Sequence, residues 1–186
     1  MNSLAVNKKV CLMGDFGVGK TSLVRRFVYD RFEDKYLSTI GVKVSRKMLM
    51  VPQKEHITEL NLLLWDLAGS EEFSAVRANY MGGCAGAVVV VDITRYETVT
   101  TLRRYLHGLY TVAPNAKAIL AANKFDLTVS EETEGLIATL GEQWGVPHYF
   151  TSAKTGENVE ALFRHMAMLV LTGREKGPND VETFHR

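Results

Sequence analysis

The run Gly14-Asp15-Phe16-Gly17-Val18-Gly19-Lys20-Thr21 constrains this chain more than any other feature. It fits G-x-x-x-x-G-K-[ST], a loop that must pass from a buried strand into the start of a helix. The flanks supply that context. Lys9-Val10-Cys11-Leu12-Met13 is a short apolar run that reads as a strand buried on both faces. Beyond the loop, residues 22–29 carry apolar side chains at 23, 24, 27 and 28, a helical spacing. Glycines let backbone N–H groups approach a polyanion closely, and the helix N-terminus adds the positive end of its dipole. Lys20 would place a point charge on the β- and γ-phosphates. The Thr21 hydroxyl, with Ser22 beside it, would face Mg²⁺. The loop alone implies a nucleoside triphosphate and leaves kinases and ATPases open.

The rest of the chain predicts an α/β domain. Residues 42–51 and 57–65 alternate and flank a polar turn, which predicts an antiparallel hairpin. Residues 86–91, 118–122 and 147–150 read as further strands. Val99, Leu102, Tyr105, Leu106 and Leu109 recur at helical spacing up to Pro114, and residues 131–144 and 159–171 read as helices. Residues 30–40 and 67–80 read as loops, the second with some helix. Strands alternating with helices imply a mostly parallel six-stranded sheet with one antiparallel strand and helices on both faces. The expected domain covers residues 1–172, followed by a polar, mobile tail over 173–186.

Two motifs then narrow the base. Asn123-Lys124-Phe125-Asp126 follows the strand at 118–122, where ligands bind in open α/β sheets. A carboxylate at Asp126 would accept from N1–H and the 2-amino group of guanine. Adenine offers neither donor, which leaves a mismatch of roughly several kcal/mol. Asn123 would tie this strand end to the phosphate loop, and the Lys124 stem would lie against the base. Thr151-Ser152-Ala153-Lys154 follows the next strand, where a backbone N–H would reach the guanine O6. Asp66-Leu67-Ala68-Gly69 leaves the strand at 57–65. Its carboxylate would hold a Mg²⁺ water and its glycine N–H would meet the γ-phosphate.

Composition excludes several alternatives. Hydrophobic residues make up 46% and charged residues 23% of the 186, which suits one soluble globular domain. A net charge of +1 gives no electrostatic case for nucleic acid or an anionic membrane. The two cysteines, Cys11 and Cys84, sit in apolar runs and read as core residues in a reducing, cytoplasmic setting. The longest apolar run, 85–91, is too short to span a bilayer, and the start has no signal-peptide pattern. His56, His107, His148, His165 and His185 have no metal-ligand spacing. Met166 and Met168 read as packing residues, and the pairs Arg25-Arg26 and Arg103-Arg104 as solvated helix faces.

Together the motifs resemble the Ras superfamily, its Rab-like branch most, over about residues 9–171. The five that carry the resemblance are the loop at 14–21, Ser38-Thr39-Ile40-Gly41, Trp65-Asp66-Leu67-Ala68-Gly69, Asn123 to Asp126, and Ser152 to Lys154. The resemblance implies a switch I threonine at Thr39 that ligates Mg²⁺ and senses the γ-phosphate. It implies an aromatic against guanine at Phe32 and a phosphate-covering tyrosine at Tyr36. Lys20, Thr39, Gly69 and the position of Ser70 would be the catalytic set. Effectors and regulators would read switch I (30–40) and switch II (67–80) on a monomer.

Three departures change the expected chemistry. The family usually has glutamine directly after D-x-x-G, where it orients the attacking water; here that place is Ser70, whose hydroxyl is too short. Glu71 and Glu72 fall one and two places beyond. Phe16 puts a large ring where many members have a small residue, so it would crowd a catalytic side chain or a partner's arginine. No cysteine follows Cys84, so either the protein works without the family's prenyl anchor or the sequence stops short of it; position 2 is not glycine, which excludes myristoylation. The expectation is a GTP/GDP switch with slow hydrolysis. The alternative is a GTP-loaded scaffold without useful catalysis. A small-molecule kinase would leave Asn123 to Asp126 without a role.

Overall fold

A computed structural model describes residues 5–33, 38–54, 56–69, 74–128 and 130–173. In chain order the elements are β1 (Val6–Met13), α1 (Lys20–Tyr29), β2 (Val42–Pro52), β3 (Ile57–Leu67), α2 (Ser74–Met81), β4 (Gly86–Asp92), α3 (Tyr96–Thr100), α4 (Leu102–Val112), β5 (Lys117–Asn123), α5 (Glu131–Trp144), β6 (His148–Thr151) and α6 (Val159–Thr172). Six strands form one sheet in the order β2-β3-β1-β4-β5-β6. Only the β2–β3 pair is antiparallel, with Val42 opposite Leu67 and Pro52 opposite Ile57; β1, β4, β5 and β6 run parallel to β3.

The period of two in the central strands sorts the core into two layers. Val10, Leu12, Val88, Val90, Ile119 and Ala121 pack on one face against α1 and α6. Cys11, Met13, Val89, Val91, Leu120 and Ala122 pack on the other against α4 and α5. Phe27 of α1 and Phe163 of α6 stack with ring centroids 4.3 Å apart. At Gly86 a Cβ would come 2.5 Å from the Met166 sulfur, so a glycine lets α6 close down on the start of β4. Both cysteines are buried and unpaired by a disulfide. No helix among the described residues is long and apolar enough to cross a membrane.

The sequence-based expectations differ from this structure at element edges. α1 begins at Lys20 rather than 22, so the phosphate-loop lysine is already helical. β3 continues through Leu67, because β2 pairs with it that far; Asp66 therefore lies inside the strand and not beyond its end. The single helical pattern ending near Pro114 is two helices broken at Thr101. Threonine hydroxyls compete for the backbone there: Thr98, Thr100 and Thr101 donate to the carbonyls of Arg95, Glu97 and Thr98 at 2.8 Å each.

Candidate functional site

The strand ends of β1, β3, β4 and β5 deliver their loops to one rim of the sheet, and a cavity of about 330 Å³ lies there. Its first end is the loop 14–19. A Cβ on Gly14 would collide with the Val90 carbonyl, so only glycine lets the loop leave β1 flush against β4. Gly17 and Gly19 have φ of 74° and 102°, the left-handed region in which L side chains are strained. Gly19 caps α1 without any side-chain hydrogen bond, leaving the first-turn N–H groups for an anion. Lys20 is buried, and its Nζ donates to the Gly14 carbonyl at 2.9 Å and the Asp15 carbonyl at 2.8 Å. Gly69 backs onto the same ammonium: a Cβ there would lie 2.6 Å from Lys20 Nζ.

Beside the lysine sits a cluster of hard oxygens. The Thr21 hydroxyl donates to Asp66 Oδ2 at 2.5 Å and stands 2.9 Å from the Thr39 hydroxyl. Asp66 is 2% exposed, and its Oδ1 has no hydrogen-bond partner among the described residues. Burial pushes its carboxyl above the usual range, opposed by the Thr21 hydrogen bond and the Lys20 charge. A buried acceptor left unmet costs free energy, and two hydroxyls with a carboxylate are the donor chemistry that suits Mg²⁺. The residues fit that ion.

The other end of the cavity is built around Asn123, the last residue of β5. Its Nδ2 donates to the Val18 carbonyl at 2.9 Å, while its Oδ1 accepts from the Ala153 N–H at 3.2 Å and the Thr151 hydroxyl at 3.4 Å. One side chain thus joins three loops. Gly19 must be a glycine for this reason also, since a Cβ there would overlap Asn123 Nδ2. Asp126 Oδ1 accepts from the Ser152 hydroxyl at 2.6 Å. The Lys124 ammonium donates to Asp92 Oδ2 at 2.6 Å. Burial would raise the Asp92 carboxyl, but hydrogen bonds from Lys124 and Thr94 hold it below the ordinary range.

Most residues singled out from the sequence meet at this cavity. Phe16, Gly17, Gly19, Lys20, Thr21 and Ser22 line one end; Asn123, Lys124, Asp126, Ala153 and Lys154 line the other; Phe32, Thr39 and Gly69 complete the wall. Others serve from behind. Val18 packs its side chain into the core, and its carbonyl accepts from Asn123. Ser152 is buried and braces Asp126. Asp15 belongs to the loop through its backbone, and its side chain serves elsewhere. Its carboxylate turns away to α4, accepting from Tyr105 at 2.7 Å, Thr101 at 3.0 Å and Arg104 at 3.4 Å. Tyr36 and Ser70, with Glu71 and Glu72, lie outside the described residues.

The Arg25-Arg26 pair also needs correction, whereas Arg103 and Arg104 are exposed on α4. Arg25 lines the cavity and pairs with Glu33 at 2.7 Å. Arg26 is no solvated helix face: it donates to the carbonyls of Ala153 at 2.9 Å and Lys154 at 2.6 Å, fastening α1 to the base loop. Arg104 contributes to the hold on Asp15. Sequence reasoning missed Arg26 because partners 127 and 128 residues away leave no local pattern. It also missed Asp92, although an acid ending a fully apolar strand was a visible signal.

Comparison with known proteins follows the same outline. The Ras family profile matches residues 9–172. Ras-related protein RABD2c of Arabidopsis thaliana is 35% identical over 175 residues, covering 91% of this chain and 83% of that protein. A phosphate loop, a strand-end Asn-Lys-Phe-Asp and a match spanning the whole sheet lead to one family, and this chain belongs to it as a Rab-like member of the Ras family of small GTPases.

Proposed function

We propose that this chain is a Mg²⁺-dependent guanine-nucleotide switch with slow GTP hydrolysis. The observation that carries the reading is the pairing of two ends across one cavity: Asp126, braced by Ser152, and Lys20 with Thr21, Thr39 and Asp66. Asp126 accepts from N1–H and the exocyclic amine of guanine, and the Ala153 N–H neighbourhood faces its O6. Lys20 turns from the Gly14 and Asp15 carbonyls toward the β- and γ-phosphates. Thr21 and Thr39 would hold Mg²⁺ directly, and Asp66 would hold it through water. When bound, the ion neutralises charge on the β- and γ-phosphates.

Thr39 and Gly69 make the site a switch. The Thr39 hydroxyl reaches Thr21 from residues 38–41, and Gly69 sits against Lys20, so a γ-phosphate would order both segments. Effectors and regulators then read residues 30–40 and 67–80 on a monomer working in the cytoplasm, a setting consistent with two free thiols.

Phe16 supports slow turnover. The residue is 49% exposed and lines the cavity at the crest of the phosphate loop. A ring there takes the space of a water-positioning group or an incoming arginine, and Ser70 is too short to substitute. Losing one such group costs about 10²–10³ in rate. Single-turnover GTP hydrolysis tests this; a rate equal to that of a glutamine-bearing relative overturns it. The same ring favours a second reading, a GTP-loaded scaffold. The nucleotide in protein purified without added ligand separates the two: GDP indicates the switch, GTP after hours the scaffold. Equal competition by ATP and GTP in calorimetry would overturn both.

A further inference from the structure

Arg95, in the turn between β4 and α3, stands outside the cavity and touches the phosphate loop from behind. Its Nη2 donates to the Phe16 carbonyl at 2.7 Å. The same nitrogen lies 3.8 Å from the position a Cβ on Gly17 would take, so the guanidinium covers the outer face of the loop crest. Gly17 itself lines the cavity on the inner face. The described residues include no cis peptide bonds. In a trans peptide the carbonyl of one residue and the N–H of the next point in opposite directions. A Phe16 carbonyl drawn outward therefore fixes the Gly17 N–H inward.

The arginine is held firmly enough to do this. Its Nε donates to Asp92 Oδ2 at 3.0 Å, and that carboxylate is 2% exposed. Asp92 is locked in turn by Lys124 at 2.6 Å and by the Thr94 N–H and hydroxyl at 3.0 and 2.6 Å. The fork of a guanidinium spans two acceptors that a single ammonium at that place cannot. A charge-assisted bond to the Phe16 carbonyl also polarises the peptide, making its N–H a stronger donor.

We propose that Arg95 is a positioning residue for the nucleotide: by drawing the Phe16 carbonyl outward, it holds the Gly17 N–H turned into the cavity as a donor to the terminal phosphates. This rests on the guanine-nucleotide reading above. Its consequence is that residence time on the triphosphate depends on a side chain that never touches the ligand.

The test uses the full chain loaded with fluorescent GDP or a non-hydrolysable GTP analogue, with Arg95→Ala, Arg95→Lys and, as control, Arg103→Ala, whose guanidinium reaches Gln143 on the far side of α4. Both Arg95 variants should release the GTP analogue about 10-fold faster than wild type, the scale of one lost charge-assisted hydrogen bond. GDP release should change less, the ³¹P resonances of bound nucleotide should move, and Arg103→Ala should match wild type. Arg95→Lys keeps the charge beside Asp92, so it reports even if Arg95→Ala fails to fold. Unchanged release overturns the proposal. So does equal acceleration of both nucleotides with unmoved ³¹P resonances, which would assign the effect to the Asp92–Lys124 arm. Failure of the wild type to retain either nucleotide would instead overturn the guanine-nucleotide reading itself.

Discussion

At Asp126 a carboxylate faces the cavity with one oxygen already committed to the Ser152 hydroxyl, which fixes its plane. Asp126→Ala should weaken GDP binding by about 10²-fold, the scale of losing a charged partner to two donors, while the melting temperature without nucleotide stays near wild type; titration calorimetry and thermal unfolding check the two parts. Phe16→Gly should raise single-turnover GTP hydrolysis, and Phe16→Gly combined with Ser70→Gln should raise it further, toward the 10²–10³ gain estimated for a positioned water-orienting group. Asp92 gives a pH dependence. Its folded-state carboxyl lies below the ordinary value near 4, so the unfolded chain binds more protons in acid. The stability it contributes is complete above about pH 4 and is lost as pH falls through the folded value. Urea unfolding at pH 7 and pH 3 should show a steeper acid loss in wild type than in Asp92→Asn. Local spacing made Lys20, Thr21, Asn123 and Asp126 legible, because each motif packs its chemistry into a few consecutive residues. The braces Arg26 and Arg95 were not, since what they touch is decided by how strands and loops meet.

The strands were readable from apolar runs and the helices from their period, and the sheet follows from their alternation. Edges were harder. β3 outran its alternating pattern because pairing with β2 carries it to Leu67, and Thr101 interrupts a helical period that continues on both sides. The helix α6 lines none of the cavity yet builds much of the layer beneath the central strands. It contributes Leu162, Phe163, Met166 and Ala167, each fully buried, to the layer under β1, β4 and β5. Phe163→Ala removes the stacking partner of Phe27 and leaves a cavity beside α1, costing about 3–5 kcal/mol. Urea unfolding of the GDP-bound protein measures that loss.

The cavity lies at one rim of the sheet, so a polyanion and an ion bound there would contribute to the folding equilibrium of the whole molecule. Removing Mg²⁺ with EDTA should speed GDP release and lower the melting temperature together, because the buried Asp66 carboxylate loses its counter-charge while Thr21 and Thr39 lose their common partner; unchanged release would mean that these oxygens hold no ion. Variation in such a fold is channelled by Asn123, whose single amide group meets Val18, Thr151 and Ala153. Lengthening either the phosphate loop or the segment after β6 would need a matching change in the other. Insertions are therefore expected to be tolerated at the β2–β3 turn, near the exposed Lys54 and His56, which line none of the cavity.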